Sequence, residues 1–249
     1  MTEPVEATFV TSDGLRLSGR HLLAADAPAA TVVVVHGFTA SARCPNVEEL
    51  ARRLHESGFD VLAYDARGHG SSDGESTLGD HEQHDVAGAV ALARERTERV
   101  VLVGASMGAI AAIRYAVTDA GLAGLVAVSC PAEWRLPCNA RGVLAAVMTR
   151  TPVGRRLVGR LSGVRVASRW TNPLPPLALV PALATPTVFV HGDADRFIGV
   201  RDAALLHAAA PEPKHLVVVP DMGHAFGPPG VGAIVGAVDW VLASGRVSR

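Results

Sequence analysis

The chain has 249 residues, a formal net charge of −1 and 49% hydrophobic residues. A chain of this length can bury about 70–75% of its unfolded surface without a metal or disulfide staple. The near-neutral charge argues against a nucleic-acid-binding protein, because no positive field is available to release counterions. The apolar content argues against a disordered chain.

The sequence gives no sign of a membrane span or of export. No apolar run approaches the roughly 20 residues of a membrane-spanning helix, and residues 1–6 lack a basic region followed by an apolar stretch. The three cysteines are an odd number without metal spacing, so we expect reduced thiols in a cytoplasmic protein. We expect no metal and no organic cofactor, and the sequence does not indicate an oligomeric state.

Apolar, β-rich runs alternate with helical patterns along the chain. The first two runs flank the turn Ser12-Asp13-Gly14 and predict a hairpin. Strands are predicted at 5–10, 15–21, 31–36, 60–65, 100–104, 122–129, 187–191 and 216–219. Helices are predicted at 45–57, 79–96, 107–120, 201–209 and 231–242. This alternation predicts an α/β fold, a mostly parallel sheet with helices on both faces.

One segment, residues 131–186, interrupts the alternation. From Trp134 through Gly192 the chain has no Asp or Glu but eight arginines, so this stretch carries +8 and the remainder −9. We predict a small helical cap over 131–186, bracketed by Trp134 and Trp170, with helices near 141–150 and 154–161. The cap would be inserted into a core formed by 1–130 and 187–249. The alternative is a long surface excursion with solvated arginines, which is uncommon in a compact domain.

Gly104-Ala105-Ser106-Met107-Gly108 has the pattern G-x-S-x-G. It follows a predicted strand and opens a predicted helix, the context in which this motif marks a nucleophilic serine. The flanking glycines remove Cβ atoms that would clash in so sharp a turn. The serine would stand at a helix N-terminus, where an anion is favoured.

A nucleophilic serine needs a base, and the base needs an orienting acid. His224 follows the last predicted strand, and Asp195 follows the strand before it, so both emerge at the same sheet edge as Ser106. Asp193 and Glu133 are alternative acids. The oxyanion needs two donors: the backbone N–H of Met107, and that of Phe38 in His36-Gly37-Phe38, where glycine permits close approach.

Taken together, these motifs resemble the α/β-hydrolase superfamily over essentially the whole chain. The matching pieces are His36-Gly37-Phe38, Asp65-Ala66-Arg67-Gly68-His69-Gly70-Ser71-Ser72, Gly104-Ala105-Ser106-Met107-Gly108, His191-Gly192-Asp193-Ala194-Asp195 and Gly223-His224. The order Ser106, Asp195, His224 is the family's chain order.

The resemblance implies an eight-stranded sheet with an antiparallel second strand and a cap after strand six. It implies a triad of Ser106, Asp195 and His224, with Phe38 and Met107 as oxyanion donors, and it favours Asp195 over its two rivals. Asp65, Arg67 and His69 are expected to fix the loop beside the nucleophile. Trp134 and Trp170 are expected to line the substrate pocket.

One histidine-containing stretch and the three cysteines are not assigned a catalytic or metal-binding role. In Asp80-His81-Glu82-Gln83-His84-Asp85 the histidines are three apart rather than four as in H-E-x-x-H, so the stretch is interpreted as a helix start rather than a zinc site. Cys44 follows the oxyanion loop, and no base near it is evident in the sequence, so it is not assigned as a nucleophile. Cys130 and Cys138 are interpreted as packing residues.

The expected reaction is hydrolysis of a carboxylic ester of small or medium acyl size through an acyl-enzyme. The alternatives are a thioesterase or a C–C bond hydrolase acting on an anionic or carrier-bound acyl substrate, which the arginine-rich segment would attract. A non-catalytic ligand-binding protein on the same scaffold is a further alternative, since fold does not fix function.

Overall fold

A computed structural model describes residues 3–24, 28–134, 140–169 and 171–245. Eight strands form a single sheet. They are β1 (Val5–Val10), β2 (Arg16–Leu22), β3 (Thr31–Val35), β4 (Asp60–Tyr64), β5 (Val100–Ala105), β6 (Gly124–Val128), β7 (Thr187–Gly192) and β8 (Lys214–Val219). Their order is β1-β2-β4-β3-β5-β6-β7-β8, and only β2 runs antiparallel to its neighbours. The predicted α/β-hydrolase sheet is therefore confirmed.

The described residues form eight α-helices, some of which cover the two faces of the sheet. They are α1 (Pro45–Glu56), α2 (Glu82–Arg94), α3 (Met107–Ala116), α4 (Ala140–Arg150), α5 (Pro152–Ser162), α6 (Pro176–Leu179), α7 (Val200–Ala209) and α8 (Val231–Ser244). Helices α1 and α8 pack on one face, and α2, α3 and α7 pack on the other. Within the described ranges, no helix is long and apolar enough to cross a membrane.

The valine-rich central strands are buried on both faces. In β3, Val32 and Val34 belong to the core beneath α1 and α8, whereas Val33 and Val35 belong to the core beneath α2 and α3. Successive side chains of a strand point to opposite faces, so a continuous apolar run supplies both cores at once. This explains why these strands show no alternation of polar and apolar residues.

Two helix boundaries differ from the predicted ones by three residues or more. Helix α2 begins at Glu82 rather than at residue 79, because the buried Glu82 carboxylate accepts the N–H of Gly79 and holds the preceding residues in a turn. Helix α3 ends at Ala116 rather than at residue 120. There Asp119 accepts the N–H of Gly121 and turns the chain toward β6.

The segment 131–186 contains the two helices predicted for it, α4 and α5. Helix α5 begins at Pro152, where the Thr151 hydroxyl caps the N–H of Gly154, and it ends before Gly163 in the left-handed conformation. Val166 then forms a bridge with Ser76 of the core. That 131–186 forms a separate cap domain stays a prediction, and we refer to α4 and α5 as the α4–α5 hairpin.

Candidate active site

Ser106 lies in the sharp turn between β5 and α3. Its φ of 52° is a strained value for a residue with a side chain. The two flanking glycines allow this turn because the helix packs directly against the strands. A Cβ on Gly108 would lie 2.1 Å from the Val35 carbonyl oxygen, and one on Gly104 would lie 2.5 Å from the Gly108 oxygen. The predicted reason for both glycines is confirmed.

His224 is held by a carboxylate. Its Nδ1 lies 2.7 Å from Asp195 Oδ2, and the Asp195 side chain is fully buried. An ionised carboxylate can only accept, so Nδ1 carries the proton and, in the neutral ring, Nε2 is left as the acceptor. The other Asp195 oxygen accepts the N–H groups of Phe197 at 2.8 Å and Ile198 at 3.0 Å. The imidazole is thereby fixed in the tautomer that a general base requires.

The surroundings of Asp195 keep it ionised. Burial opposes its charge, but the hydrogen bond and positive field of His224 and the two backbone N–H donors outweigh burial and lower its pKa to about 2. A stable carboxylate beside Nδ1 stabilises an imidazolium at His224. This is the electrostatic arrangement that a histidine needs in order to accept a proton.

The two alternative acids lie elsewhere. Asp193 Oδ1 accepts the N–H of Asp221 at 2.7 Å and so fixes the loop after β8. Glu133 is an exposed residue in the segment after β6. The carboxylate that bonds to His224 is that of Asp195.

Ser106 and His224 line one cavity of about 350 Å³. The cavity walls are Gly37, Phe38, Thr39, Ala40, Cys44, Pro45, Asn46, Val47, Ser106, His224, Ala225 and Phe226. In the part of the chain that the structure describes, no hydrogen bond joins the Ser106 hydroxyl to His224. Such bonds are often long without substrate and tighten in the reacting complex.

The expected oxyanion donors lie beside this cavity. Neither the Phe38 N–H nor the Met107 N–H has a hydrogen-bond acceptor among the described residues. The loop that carries Phe38 packs against the serine turn, since a Cβ on Gly37 would lie 3.4 Å from the Ala105 oxygen. Two unsatisfied N–H groups next to a nucleophile are what an oxyanion requires.

His36 holds the loop that carries Phe38 through two hydrogen bonds of its ring. Its Nδ1 donates to the Gly37 carbonyl at 2.8 Å, and its Nε2 accepts the Ala66 N–H at 3.0 Å. Burial lowers the pKa of His36 to about 4. The ring is therefore neutral at physiological pH, which lets one nitrogen donate while the other accepts.

The block from Asp65 to Ser72 supports the site without entering it. Asp65 accepts the backbone N–H of Ala42 at 2.8 Å and that of Ser71 at 3.2 Å. Arg67 is buried between Asp13 and Asp85 and forms ion pairs with both. The His69 ring meets the Phe38 ring edge-on at 6.0 Å. These contacts agree with the expected supporting role of the block.

The structure describes one of the two tryptophans expected in the pocket. Trp134 is half-buried, packs against the core beneath α2 and α3, and donates its ring N–H to the Pro173 carbonyl. It is not among the described residues that line the Ser106 cavity. Trp170 and Cys138 lie outside the described residues. Cys130 is buried in the core, as a packing residue would be.

The stretch from Asp80 to Asp85 starts helix α2, as interpreted from the sequence. Its three acidic side chains interact with three different partners. Glu82 accepts from the Ser76 hydroxyl, Asp85 pairs with Arg67, and Asp80 accepts from Thr171. In the described ranges, no group of three His, Cys, Asp or Glu side chains could hold a metal ion.

Two residues lie closer to the site than the sequence indicated. Cys44 lies at the start of α1 on the cavity wall that it shares with His224, and its Sγ accepts the Ser41 N–H. A base is thus closer to this thiol than the sequence indicated. Phe197 lies 5.2 Å from the His224 ring, measured between ring centroids. In the sequence, the only signal for this contact was the position of Phe197, two residues after Asp195.

The sheet, the serine turn and the histidine–carboxylate pair define the α/β-hydrolase fold class. A family model described as serine aminopeptidase S33 matches residues 26–171, more than half of the chain. The chain belongs to this family of α/β-hydrolases.

The chain is also similar in sequence to bacterial proteins. The chain is 28% identical over 234 residues to the uncharacterized protein YqkD of Bacillus subtilis, covering 86% of this chain and 70% of that protein. It is 28% identical over 242 residues to YfhR of Salmonella typhi, covering 89% and 75%.

Among solved structures, the fold matches the α/β-hydrolase GrgF of a Penicillium species with a TM-score of 0.75, at 22% identity and covering 98% and 100% of the two chains. It matches the esterase Pf2001 of Pyrococcus furiosus with a TM-score of 0.70, at 22% identity and covering 98% and 91%.

Proposed function

We propose that this protein is a serine hydrolase that cleaves a carboxylic ester of small or medium acyl size. The observation that carries the proposal is the shared cavity. Ser106, in a strained turn, and His224, bonded to a buried Asp195, face the same space. Family membership supports a hydrolase, and the esterase Pf2001 shares the fold.

In the proposed reaction, His224 Nε2 accepts the proton of the Ser106 hydroxyl as Oγ attacks the ester carbonyl. The Phe38 and Met107 N–H groups stabilise the resulting oxyanion. When the intermediate collapses, the alkoxide leaving group receives this proton from His224 and departs as the alcohol, and an acyl group remains on Ser106. His224 then deprotonates a water that attacks the acyl-enzyme, and the serine is regenerated together with the acid.

The cavity walls favour an uncharged acyl group over a peptide N-terminus. An aminopeptidase must bind a free ammonium group, for which a carboxylate is the usual partner. None of the described residues that line the cavity is Asp or Glu, and most are small or apolar. This supports ester hydrolysis over removal of an amino acid, the activity in the family model's name.

The experiment is a kinetic comparison on p-nitrophenyl acetate, butyrate and octanoate. We expect the wild type to release p-nitrophenol and Ser106→Ala to lose roughly 10⁴–10⁶-fold in turnover. Cys44→Ala is the matched control, because its thiol lies on the same cavity wall, and it should retain turnover. Release that survives in Ser106→Ala but disappears in Cys44→Ala would overturn the proposal.

Further substrates separate the alternatives. Turnover of acyl-CoA but not of the esters would assign a thioesterase, and turnover of a β-diketone alone would assign a C–C bond hydrolase. Turnover of alanine p-nitroanilide alone would assign an aminopeptidase. Saturable binding of an ester without turnover would assign a ligand-binding protein.

A further inference from the structure

The α4–α5 hairpin exposes an unusual amount of aliphatic surface. Eleven large apolar side chains are exposed among the described residues, and six of them lie on these two helices. We call them the hairpin apolar face: Val143, Leu144 and Val147 on α4, and Val153, Leu157 and Leu161 on α5. Val153 and Leu161 are 74% and 75% exposed. Scattered single apolar residues need no explanation, but a concentration of this kind does.

The exposed residues form a stripe on α5. Val153, Leu157 and Leu161 are spaced by four residues, so they lie along one side of the helix. Another side of the same helix is buried through Gly154 and Val158. One apolar side of helix α5 therefore packs against the rest of the protein, and a second apolar side faces solvent.

The two helices present their exposed residues next to each other. They touch closely at Gly154, where a Cβ would lie 2.2 Å from the Val147 carbonyl oxygen. Val147 and Val153 flank this contact, one on each helix. The exposed residues of α4 and α5 thus lie on two helices in direct backbone contact, which supports one face rather than two separate patches.

Positive charge surrounds this face. Arg150, Arg156 and Arg160 are exposed, and Arg155 is half-buried. None of the four forms an ion pair within the described ranges. No Asp or Glu occurs anywhere from Trp134 through Gly192, so no acidic residue of the segment offsets these charges.

We propose that the hairpin apolar face docks on an anionic lipid surface. Aliphatic side chains bordered by arginines match an interfacial helix, whose apolar side enters the acyl boundary while its cations contact lipid headgroups. A second copy of this chain fits less well, because it would place one arginine-rich surface against another. This docking does not depend on the proposed ester hydrolysis.

The inner side of the hairpin connects this face to the candidate active site. Val158, Val164 and Val166 form a small cluster against Phe38, the residue whose N–H is an expected oxyanion donor. Docking would therefore place the hairpin between the lipid surface and the Phe38 loop.

The test is flotation of the full chain with vesicles. One set contains phosphatidylcholine and phosphatidylglycerol in equal parts, and the other contains phosphatidylcholine alone. We expect binding to the anionic vesicles that weakens with added salt, and little binding to the neutral ones. Arg156→Gln with Arg160→Gln should weaken binding roughly thirtyfold, since each interfacial arginine contributes about fivefold. The matched control is Arg53→Gln with Arg201→Gln. These two arginines are exposed on α1 and α7, outside the hairpin. This variant should bind like the wild type.

A second pair of variants tests the apolar contribution. Val153→Ser with Leu161→Ser should abolish flotation while circular dichroism and the melting temperature stay unchanged, because both side chains are exposed. Val5→Ser with Val10→Ser changes exposed valines of β1 and should leave flotation intact.

Three results would overturn the proposal. The first is no flotation with anionic vesicles, and the second is equal flotation with both vesicle types. The third is a wild-type dimer that Val153→Ser with Leu161→Ser converts to a monomer, which would assign the face to a second copy. A stable complex with apo-acyl carrier protein, without vesicle binding, would assign it to an acidic protein.

Discussion

His224 Nδ1 lies 2.7 Å from Asp195 Oδ2, across two loops that leave neighbouring strands at the same sheet edge. The carboxylate is buried and accepts two further N–H groups, so its position is set independently of the histidine. This arrangement gives His224, the proposed base, a fixed tautomer and a counter-charge before any substrate arrives. Preorganisation of this kind lowers the barrier because little must move during the reaction.

Asp195→Asn should therefore lower turnover roughly 10⁴-fold, because an amide no longer enforces the correct tautomer or stabilises the imidazolium. Steady-state kinetics on the best p-nitrophenyl ester measure this. Asp193→Asn is the matched control, two residues away and bonded to the Asp221 N–H instead. It should keep turnover within about tenfold of the wild type. Equal losses in the two variants would remove Asp195 from the mechanism.

Gly108→Ala should destabilise the fold, because its Cβ would lie 2.1 Å from the Val35 carbonyl oxygen, a backbone atom of the central strand β3. We expect a loss of at least about 1–3 kcal/mol in the free energy of unfolding, measured by urea denaturation. Gly236→Ala in α8 is the control, since nothing lies within 4 Å of its added Cβ. That change should stabilise the helix by about 0.5–1 kcal/mol. A stable Gly108→Ala protein would contradict the packing described for the serine turn.

The contribution of His36 to the free energy of unfolding should fall when the pH is lowered from 7 to 5. Burial lowers the pKa of His36 to about 4, whereas in the unfolded chain a histidine titrates near 6.5. Between these values the unfolded state takes up a proton that the folded state does not. The contribution of His36 is therefore complete above pH 6.5 and is lost as the pH falls, by about 2 kcal/mol at pH 5. Burial also lowers the pKa of His21 and His69, which adds to the same trend.

Urea denaturation at the two pH values measures this dependence. His36→Gln should reduce it, because glutamine can still donate and accept but does not titrate. His81→Gln, at an exposed histidine, should keep the wild-type dependence. Identical pH dependences of the wild type and His36→Gln would contradict the buried, neutral His36.

Much of the fold could be predicted because the signals are local. Apolar runs gave all eight strands, and the glycines around Ser106 marked the strand-to-helix turn that packing confirms. The hairpin turn after β1 predicted the antiparallel pairing of β1 with β2, and resemblance added that β2 runs antiparallel to its other neighbour, β4. Helix ends were less accurate, because buried side chains such as Glu82 decide where the first turn forms.

Features that depend on distant parts of the chain were not predictable. The buried Arg67 pairs with Asp13 from the first hairpin and Asp85 from α2, and nothing in the sequence joins these three. The cavity wall formed by the start of α1, including Cys44, likewise depends on how that helix packs beside the serine turn. Trp134 was expected in the pocket from its position at the segment boundary, but its ring packs on the core.

The proposed mechanism requires that Ser106 carries the acyl group. The most direct measurement is mass spectrometry of the protein quenched during turnover of a p-nitrophenyl ester, followed by peptide mapping. We predict a single acyl adduct on the peptide that contains Ser106, and no adduct in Ser106→Ala. An adduct on Cys44, or turnover with no adduct on any residue, would contradict it.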